Sequence, residues 1–369
     1  MVPVAMVLDD SLLDDPVRLA EADVAGTLRA AAMAGAQVRA TAETAAEVEL
    51  VDRLDLGRPR AMVLVSRPGV SRGALHLLAA LLGPACPVPL VLSDVVPSWI
   101  GALDVVLAHT DDGGDHELAT SLERAARYGA TVVLSAPPDG PIASAVAGRG
   151  LLLAPRVPVP PELTFPRALA AGLLTANALG LLVADVEALA DHLDGEAERC
   201  HPGHESFTNP AKSLALRLAE RTPLLWGLDP LATAVAEHAA HAFAAHAGRV
   251  CDAADHRQAM ARSALLHAAM TAGGERDIFA DPEDQPAGGG FPPRVLLLAV
   301  RAGSAADAAR YRAEELLPGA DVVAPAEEID ADEVGRAAVL ALRCELAAVY
   351  LGLAAGTIGG AGRFTSATA

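Results

Sequence analysis

Three aspartates between a predicted strand and a predicted helix are the residues of this sequence with the clearest chemical consequence. A strand at 104–109 and a helix at 116–128 enclose Asp111, Asp112 and Asp115. Phosphate groups bind at such strand-to-helix turns because free backbone N–H groups and the positive end of the helix dipole meet there. A carboxylate close to a phosphate costs roughly 1 to 4 kcal/mol per pair. The segment therefore has the order of an anion-binding unit but the wrong charge for one.

The net charge narrows the range of partners. The formal charge is −19 at pH 7, and binding to a phosphate backbone requires clustered Lys and Arg. We therefore predict neither a nucleic-acid partner nor a membrane partner. Lys212 is the only lysine, and it follows Ala211 rather than Gly, so the chain has no Walker A loop. We predict a solvated helical lysine, with a place in a ligand site as the alternative.

Length and local motifs limit the protein class further. A chain of 369 residues suits two domains of ordinary size. No apolar run reaches membrane-spanning length without Pro, Gly or a charge, and the first 15 residues have no basic segment before an apolar one, so we predict a cytoplasmic protein. The four scattered cysteines are predicted to be buried thiols. No GxGxxG motif joins a strand to a helix, and no cofactor is predicted.

Short apolar runs alternate with Ala/Leu-rich helical stretches along the chain. This alternation predicts an α/β fold with parallel sheets covered by helices on both faces. The predicted strands lie at 61–65, 90–92, 104–109, 131–135, 151–154, 223–227, 294–300 and 321–323. The predicted helices lie at 71–82, 116–128, 141–147, 166–193, 210–221, 230–247, 256–271, 305–317 and 332–355.

A polar turn rich in His, Pro and Gly at 200–209 interrupts this pattern, which then begins again. We predict a domain boundary there, with domains at 1–200 and 201–369. A Gly/Pro/acid-rich loop is predicted at 273–293 and a frayed tail at 356–369.

Several segments in order along the chain resemble the bacterial and archaeal bifunctional phosphoglucose/phosphomannose isomerases, which consist of two sugar isomerase (SIS) domains. The matching segments are 88–99, 105–130, 164–169, 209–215 followed by 223–227, and 350–354. The resemblance implies two flavodoxin-like parallel sheets, a homodimer and a sugar phosphate held between the domains. The ligand-binding positions that it implies are Gly69, Ser71, Thr110, Gly113, Arg167 and Lys212.

The sequence departs from this family at its catalytic positions. The family's Ser/Thr-rich phosphate loop becomes the acidic segment 109–117, and its catalytic glutamate has no counterpart in the segment 241–248. The ring-opening histidine cannot be placed, and the C-terminal lysine is missing. Arg167 alone keeps its motif position. We therefore predict a catalytically degenerate sugar-phosphate-binding or regulatory protein of carbohydrate metabolism, the alternative being an active isomerase that uses Arg167, Glu237 and His256.

Three weaker patterns have structural interpretations that we favour. The segment 200–205 contains Cys, His and Glu, which could supply part of a zinc site, but a polar turn is the favoured interpretation. The aspartates of 111–115 could hold Mg²⁺, although an acidic surface turn is commoner. Helix 230–247 is predicted to contribute to the homodimer, which should weaken below about pH 6.5 if His238 and His241 lie in the contact. No metal site is predicted.

Overall fold

A computed structural model describes residues 8–55, 57–273 and 291–359 and divides them into two compact units. The first unit comprises residues 29–198, and the second comprises residues 8–28 with 199–359. Most of the loop predicted at 273–293 and of the tail predicted at 356–369 lies outside the described residues. Each unit is built on one parallel sheet flanked by helices, which confirms the predicted fold class.

The sheet of the first unit has the strand order β2-β1-β3-β4-β5. Its strands are Ala61–Ser66 (β1), Leu90–Ser93 (β2), Asp104–His109 (β3), Thr131–Ser135 (β4) and Leu151–Leu153 (β5). In the described part of residues 8–198 the α-helices are Pro16–Ala22 (α1), Thr27–Ala31 (α2), Ala34–Glu47 (α3), Leu50–Arg53 (α4), Ser71–Leu82 (α5), His116–Arg127 (α6), Pro141–Val146 (α7), Phe165–Ala178 (α8) and Val186–Arg199 (α9). The central strands β1 and β3 are buried along their whole length, which explains their continuous apolar sequence.

The two faces of this sheet bury different helices. Helices α6 and α7 pack on one face, where Leu122 and Ile142 join the side chains of Val106 and Val132 in one apolar cluster. Helices α5 and α8 pack on the other face, and α3 packs on α8. Successive side chains of a strand point to opposite faces, so an apolar run covers both.

The second unit repeats the arrangement with the strand order β7-β6-β8-β9. Its strands are Thr222–Gly227 (β6), Asp252–Asp255 (β7), Pro293–Leu298 (β8) and Asp321–Val323 (β9). Its further described α-helices are Pro210–Leu218 (α10), Pro230–Ala247 (α11), His256–Met260 (α12), Ser263–Gly273 (α13), Ser304–Leu316 (α14) and Glu333–Ala354 (α15). Asn209 caps α10 by accepting the N–H groups of Ala211 and Lys212, as expected for Asn before Pro.

Helix α15 is long and apolar enough to span a membrane, but its apolar stretch of 18 residues is wholly buried, and the helix packs on α10 and α11. Helix α11 is also largely buried. Its His238 is 1% exposed and lies 3.4 Å from the Glu345 carboxylate of α15. The predicted weakening of a dimer at low pH was conditional on His238 and His241 lying in the contact, and His238 does not meet this condition because its side chain is enclosed within its own unit. The homodimer itself stays a prediction.

Two of the predicted helices are each divided into two shorter helices in the structure. The helix predicted at 166–193 is divided into α8 and α9, because Gly180 adopts a left-handed conformation and the Asn177 side chain bonds the backbone of Ala184 in both directions. The helix predicted at 256–271 is divided into α12 and α13. Strand β7 and the helices before residue 61 had no counterpart in the prediction, because β7 has only four residues and the Ala-rich sequence of α3 gives weak periodicity.

Residues 8–28 belong to the second unit rather than to the first. Asp14 accepts hydrogen bonds from the backbone and the hydroxyl group of Ser206, and the Asp9 N–H donates to the carbonyl of Ala354. The predicted boundary at residue 200 lies close to the division at 198/199. The prediction did not place the N-terminal residues 8–28 in the second unit, however. The assignment of 1–200 and 201–369 as domains remains a prediction.

Candidate functional site

The first unit has its topological switch point between β1 and β3, whose following helices lie on opposite faces of the sheet. Ligands of doubly wound sheets bind at the carboxyl ends of the strands at such a point. Two loops meet there. Ser71, which is buried, donates its Oγ–H to the carbonyl of His109 at 3.0 Å and accepts the N–H of Arg67 at 3.3 Å. The predicted ligand-binding hydroxyl of Ser71 therefore joins the two loops.

An internal ion pair between Arg67 and Asp115 lies at this switch point, where a doubly wound sheet is expected to receive a ligand. Asp115 caps α6 by accepting the N–H of Leu118 at 2.9 Å, and its second carboxylate oxygen accepts from the Nε of Arg67 at 2.6 Å. Arg67 also donates to Glu117 and to the carbonyl of Asp94. A free helix N-terminus recruits anions, but here a carboxylate of the chain already accepts one of its N–H groups.

A helix-capping carboxylate also lies at the switch point of the second unit, between β6 and β8. Asp229 caps α11 by accepting the N–H groups of Leu231 and Ala232 with Oδ1, both at 3.0 Å. Its Oδ2 accepts the N–H groups of Val300 and Arg301, at 2.9 and 3.1 Å, from the loop after β8. Four backbone donors, two from the first turn of α11 and two from the loop after β8, therefore converge on one carboxylate.

A third carboxylate, that of Asp111, is held by three side chains of the first unit. Arg167, at the start of α8, donates to Oδ1, and Thr164 donates its hydroxyl to Oδ2 at 2.6 Å. The Nε2 of His109 lies 3.5 Å from Oδ2, and its Nδ1 lies 3.0 Å from the Ser135 hydroxyl. These contacts connect the loop after β3 with β4 and α8.

Burial and charge shift the pKa values in this cluster in defined directions. Burial lowers the pKa of His109, and the positive charge of Arg167 adds to the effect against the pull of Asp111. Burial opposes the ionisation of Asp111, but its contacts with His109, Arg167 and Thr164 outweigh this and lower its pKa. Burial also lowers the pKa of Arg167, which is 6% exposed. Asp111 is therefore a carboxylate at neutral pH and His109 is a neutral imidazole.

The remaining loop positions predicted to bind ligand have backbone roles in the structure. Gly69 has a φ of +101°, which favours glycine, and is exposed. Thr110 is buried, and its hydroxyl accepts the N–H of Asp112 at 3.1 Å. A Cβ on Gly113 would lie 2.8 Å from the carbonyl oxygen of Asp139, so this glycine permits a close approach of two loops.

Lys212 is buried, and the prediction of a solvated lysine was wrong. Its side chain is fully enclosed, and Nζ donates to the carbonyl groups of Pro202 and His204 at 2.7 and 2.6 Å. The ammonium group also lies 5.5 Å from the centre of the Tyr350 ring. Lys212 thus holds the polar turn at 200–209 in its conformation, since the buried ammonium group needs acceptors and the turn supplies them.

The three predicted catalytic residues do not form one described cluster. Arg167 belongs to the first unit and is paired with Asp111, whereas Glu237 and His256 belong to the second unit. Glu237 is exposed on α11. His256 follows β7, and burial lowers its pKa. Within the described part of the chain, no three His, Cys, Asp or Glu side chains are placed to hold a metal ion.

Sequence reasoning missed Arg67, His109 and Asp229 as central residues of these loops. A signal existed for Asp229, because Asp before Pro after a strand marks a helix cap at a sheet edge. No sequence signal pairs Arg67 with Asp115, which is 48 residues away.

Comparison with known proteins identifies the fold. No protein-family model matches the chain, and no curated protein matches it. Solved structures do match over nearly the whole chain. A hypothetical protein from Thermus thermophilus is 16% identical with a TM-score of 0.60, covering 93% of this chain and 89% of its own.

Two further similar structures are of proteins whose names state an activity. The C-terminal domain of glucosamine-fructose-6-phosphate aminotransferase from Francisella tularensis is 11% identical with a TM-score of 0.58, covering 92% of this chain and 96% of its own. A candidate phosphosugar isomerase from Silicibacter pomeroyi is 17% identical with a TM-score of 0.52, covering 92% of this chain and 97% of its own. At these identities the similarity establishes the two-sheet α/β fold shared with these proteins.

Proposed function

We propose that this protein is a catalytically degenerate member of the two-SIS-domain isomerases, with a binding or regulatory role in sugar-phosphate-related metabolism. The described neighbours that support this context are the candidate phosphosugar isomerase and the aminotransferase domain, both of which have the same fold. In this proposal the protein recognises a carbohydrate derivative or regulates a partner, and it does not interconvert aldose and ketose.

One observation carries the proposal: Asp115 and Asp229 occupy the anion positions of both switch points. Asp115 accepts one backbone N–H group and Asp229 accepts four, and each carboxylate would repel a phosphate at its position. A sugar phosphate would therefore have to displace a carboxylate that is bound within the chain. The sequence departures at the family's glutamate and C-terminal lysine agree with this loss of function.

The alternative, an active isomerase, rests on His256. This imidazole has a lowered pKa, and its buried Nε2 has no hydrogen-bond partner among the described residues. A neutral imidazole at the end of a strand could accept a proton from a sugar carbon.

A coupled assay with glucose 6-phosphate and mannose 6-phosphate tests the proposal. We expect no formation of fructose 6-phosphate above background, while a known isomerase added to the same reaction provides the positive control. Turnover of about 1 to 1000 per second that survives extensive purification would refute the proposal. If that turnover were also lost in the His256→Asn variant, the active alternative would be supported.

Calorimetry tests the binding part of the proposal. Because a carboxylate already lies at each switch point and accepts backbone N–H groups there, one at Asp115 and four at Asp229, we expect the phosphate group to add little affinity. Glucose 6-phosphate and glucose should therefore bind with dissociation constants within about tenfold of each other, a difference of about 1.4 kcal/mol. Much tighter binding of glucose 6-phosphate than of glucose would contradict this part of the proposal.

The homodimer and the cytoplasmic location remain predictions. Light scattering across a concentration series tests the homodimer.

A further inference from the structure

Three polar side chains of the first unit surround one carboxylate, and two of them donate hydrogen bonds to it. Arg167 donates to Oδ1 of Asp111, Thr164 donates to its Oδ2, and His109 directs Nε2 toward Oδ2. An ionised carboxylate can only accept, so the arrangement is favourable when Nε2 of His109 carries the proton. The hydroxyl of Ser135 then donates to Nδ1, which is 3.0 Å away. Positive charge, a hydroxyl and an imidazole N–H together make a site for an oxyanion.

Two buried donor atoms in this cluster have unused capacity. Arg167 is 6% exposed, and its buried Nε has no hydrogen-bond partner among the described residues. His109 is 1% exposed, and its Nε2 makes no good hydrogen bond either, because 3.5 Å to Asp111 is too long for one. Buried polar groups are normally satisfied. A single carboxylate therefore does not use all the donors that surround it.

We propose that Arg167, Thr164 and His109 form a latent binding site for a small oxyanion, a carboxylate or a phosphate, which the Asp111 side chain occupies as a tethered internal ligand. Asp111 retains 19% of its side-chain exposure, whereas Arg167 retains 7%. Asp111 is thus more exposed than Arg167, so displacement of the Asp111 side chain would uncover the donor groups behind it. This inference rests on contacts within one unit and does not depend on the proposed function.

Removing the internal carboxylate should convert the cluster into a measurable binding site. In the Asp111→Ala variant we expect inorganic phosphate and acetate, titrated separately at constant ionic strength, to raise the melting temperature saturably. The affinity should exceed that of the wild-type protein by about tenfold or more, because the repulsion by Asp111 is removed. Saturation by acetate but not phosphate would identify a carboxylate site, and the reverse order would identify a phosphate site.

Two controls make the test decisive. The Asp112→Ala variant removes a neighbouring carboxylate that accepts from Gly114 within the loop, and it should gain no anion affinity. The Asp111→Ala/Arg167→Met double variant should lose the gain. Asp111→Asn keeps an oxygen acceptor and removes the charge, so it serves as the second variant if Asp111→Ala does not fold. A folded Asp111 variant without increased anion affinity, or an equal gain in the double variant, would overturn the proposal.

Discussion

Arg67 and Asp115 are joined by a hydrogen bond of 2.6 Å between Nε and Oδ2, which connects the loop after β1 with the first turn of α6. Both side chains are largely buried, at 14% and 11% exposure. The pair closes the position between two parallel strands where a doubly wound sheet would receive a ligand.

The Arg67→Met variant should lower the free energy of unfolding by about 1 to 3 kcal/mol. The change leaves Asp115 and Glu117 without the cation that faces them, and Asp115 is largely buried. Chemical denaturation measures the loss. The matched control is Arg72→Met, because Arg72 is exposed in the first turn of α5 and its removal should change stability by less than about 0.5 kcal/mol. Equal effects of the two variants would contradict the role assigned to Arg67.

The Asp229→Ala variant should destabilise the second unit by about 2 to 4 kcal/mol, because four backbone N–H groups lose their acceptor. Asp332→Ala provides the comparison, since Asp332 caps α15 through the N–H of Gly335 alone and should cost about 1 kcal/mol. Hydrogen exchange should show faster exchange at Val300 and Arg301 only in the Asp229 variant. Unchanged protection there would argue against the converging geometry.

The Lys212→Met variant should lower stability by about 2 to 4 kcal/mol, since the carbonyl groups of Pro202 and His204 lose a charged donor. Arg217→Met on the exposed face of the same helix is the matched control. Because Lys212 is the only lysine, a lysine-specific protease has one target in the chain. We expect native protein to resist cleavage and unfolded protein to be cut once. Rapid cleavage of native protein would disprove the burial of this side chain.

Gly352→Ala should destabilise the protein by about 1 to 3 kcal/mol. A Cβ at this position of α15 would collide with the backbone carbonyl of His246 in α11, and backbone atoms cannot move aside cheaply. Gly195→Ala in α9 is the opposite case, since nothing lies within 4 Å of its added Cβ. That variant should gain about 0.5 to 1 kcal/mol from helix propensity. Thermal unfolding of both variants measures the contrast, and effects of the same sign would contradict it.

Stability should decrease as the pH falls below the usual histidine pKa of about 6.5, because burial lowers the pKa of His109. Below this pH the unfolded chain binds a proton that the folded protein excludes, so the free energy of unfolding falls by up to about 1.4 kcal/mol per pH unit for this group. The pKa of His256 is lowered as well, so some slope should remain after substitution.

The His109→Gln variant tests this assignment. It should show a shallower fall of the free energy of unfolding with pH in denaturant titrations below about pH 6.5. His116→Gln, at an exposed position of α6, is the matched control. An unchanged slope in His109→Gln would mean that another group carries the effect.

The sequence alone determined the fold class and most of the secondary structure. The predicted strand at 104–109 and the helices at 71–82 and 230–247 coincide with β3, α5 and α11 to the residue. These elements were predictable because burial of a parallel strand requires a continuous apolar run, and because Pro230 after Asp229 marks a helix start. Such signals lie within a few residues of one another.

The tertiary structure decided how the charged residues are used. The sequence shows Asp111 and Asp115 as acidic loop residues and Lys212 as a lysine on a helix, but the partners of the two aspartates are distant in the chain. Asp115 is 48 residues from Arg67, and Asp111 is 56 residues from Arg167. The strength of a hydrogen bond depends on distance and direction rather than on sequence order. The role of a charged side chain therefore depends on the groups that folding brings within about 3 Å of it. These groups decide whether the charge repels a ligand, replaces one or is buried.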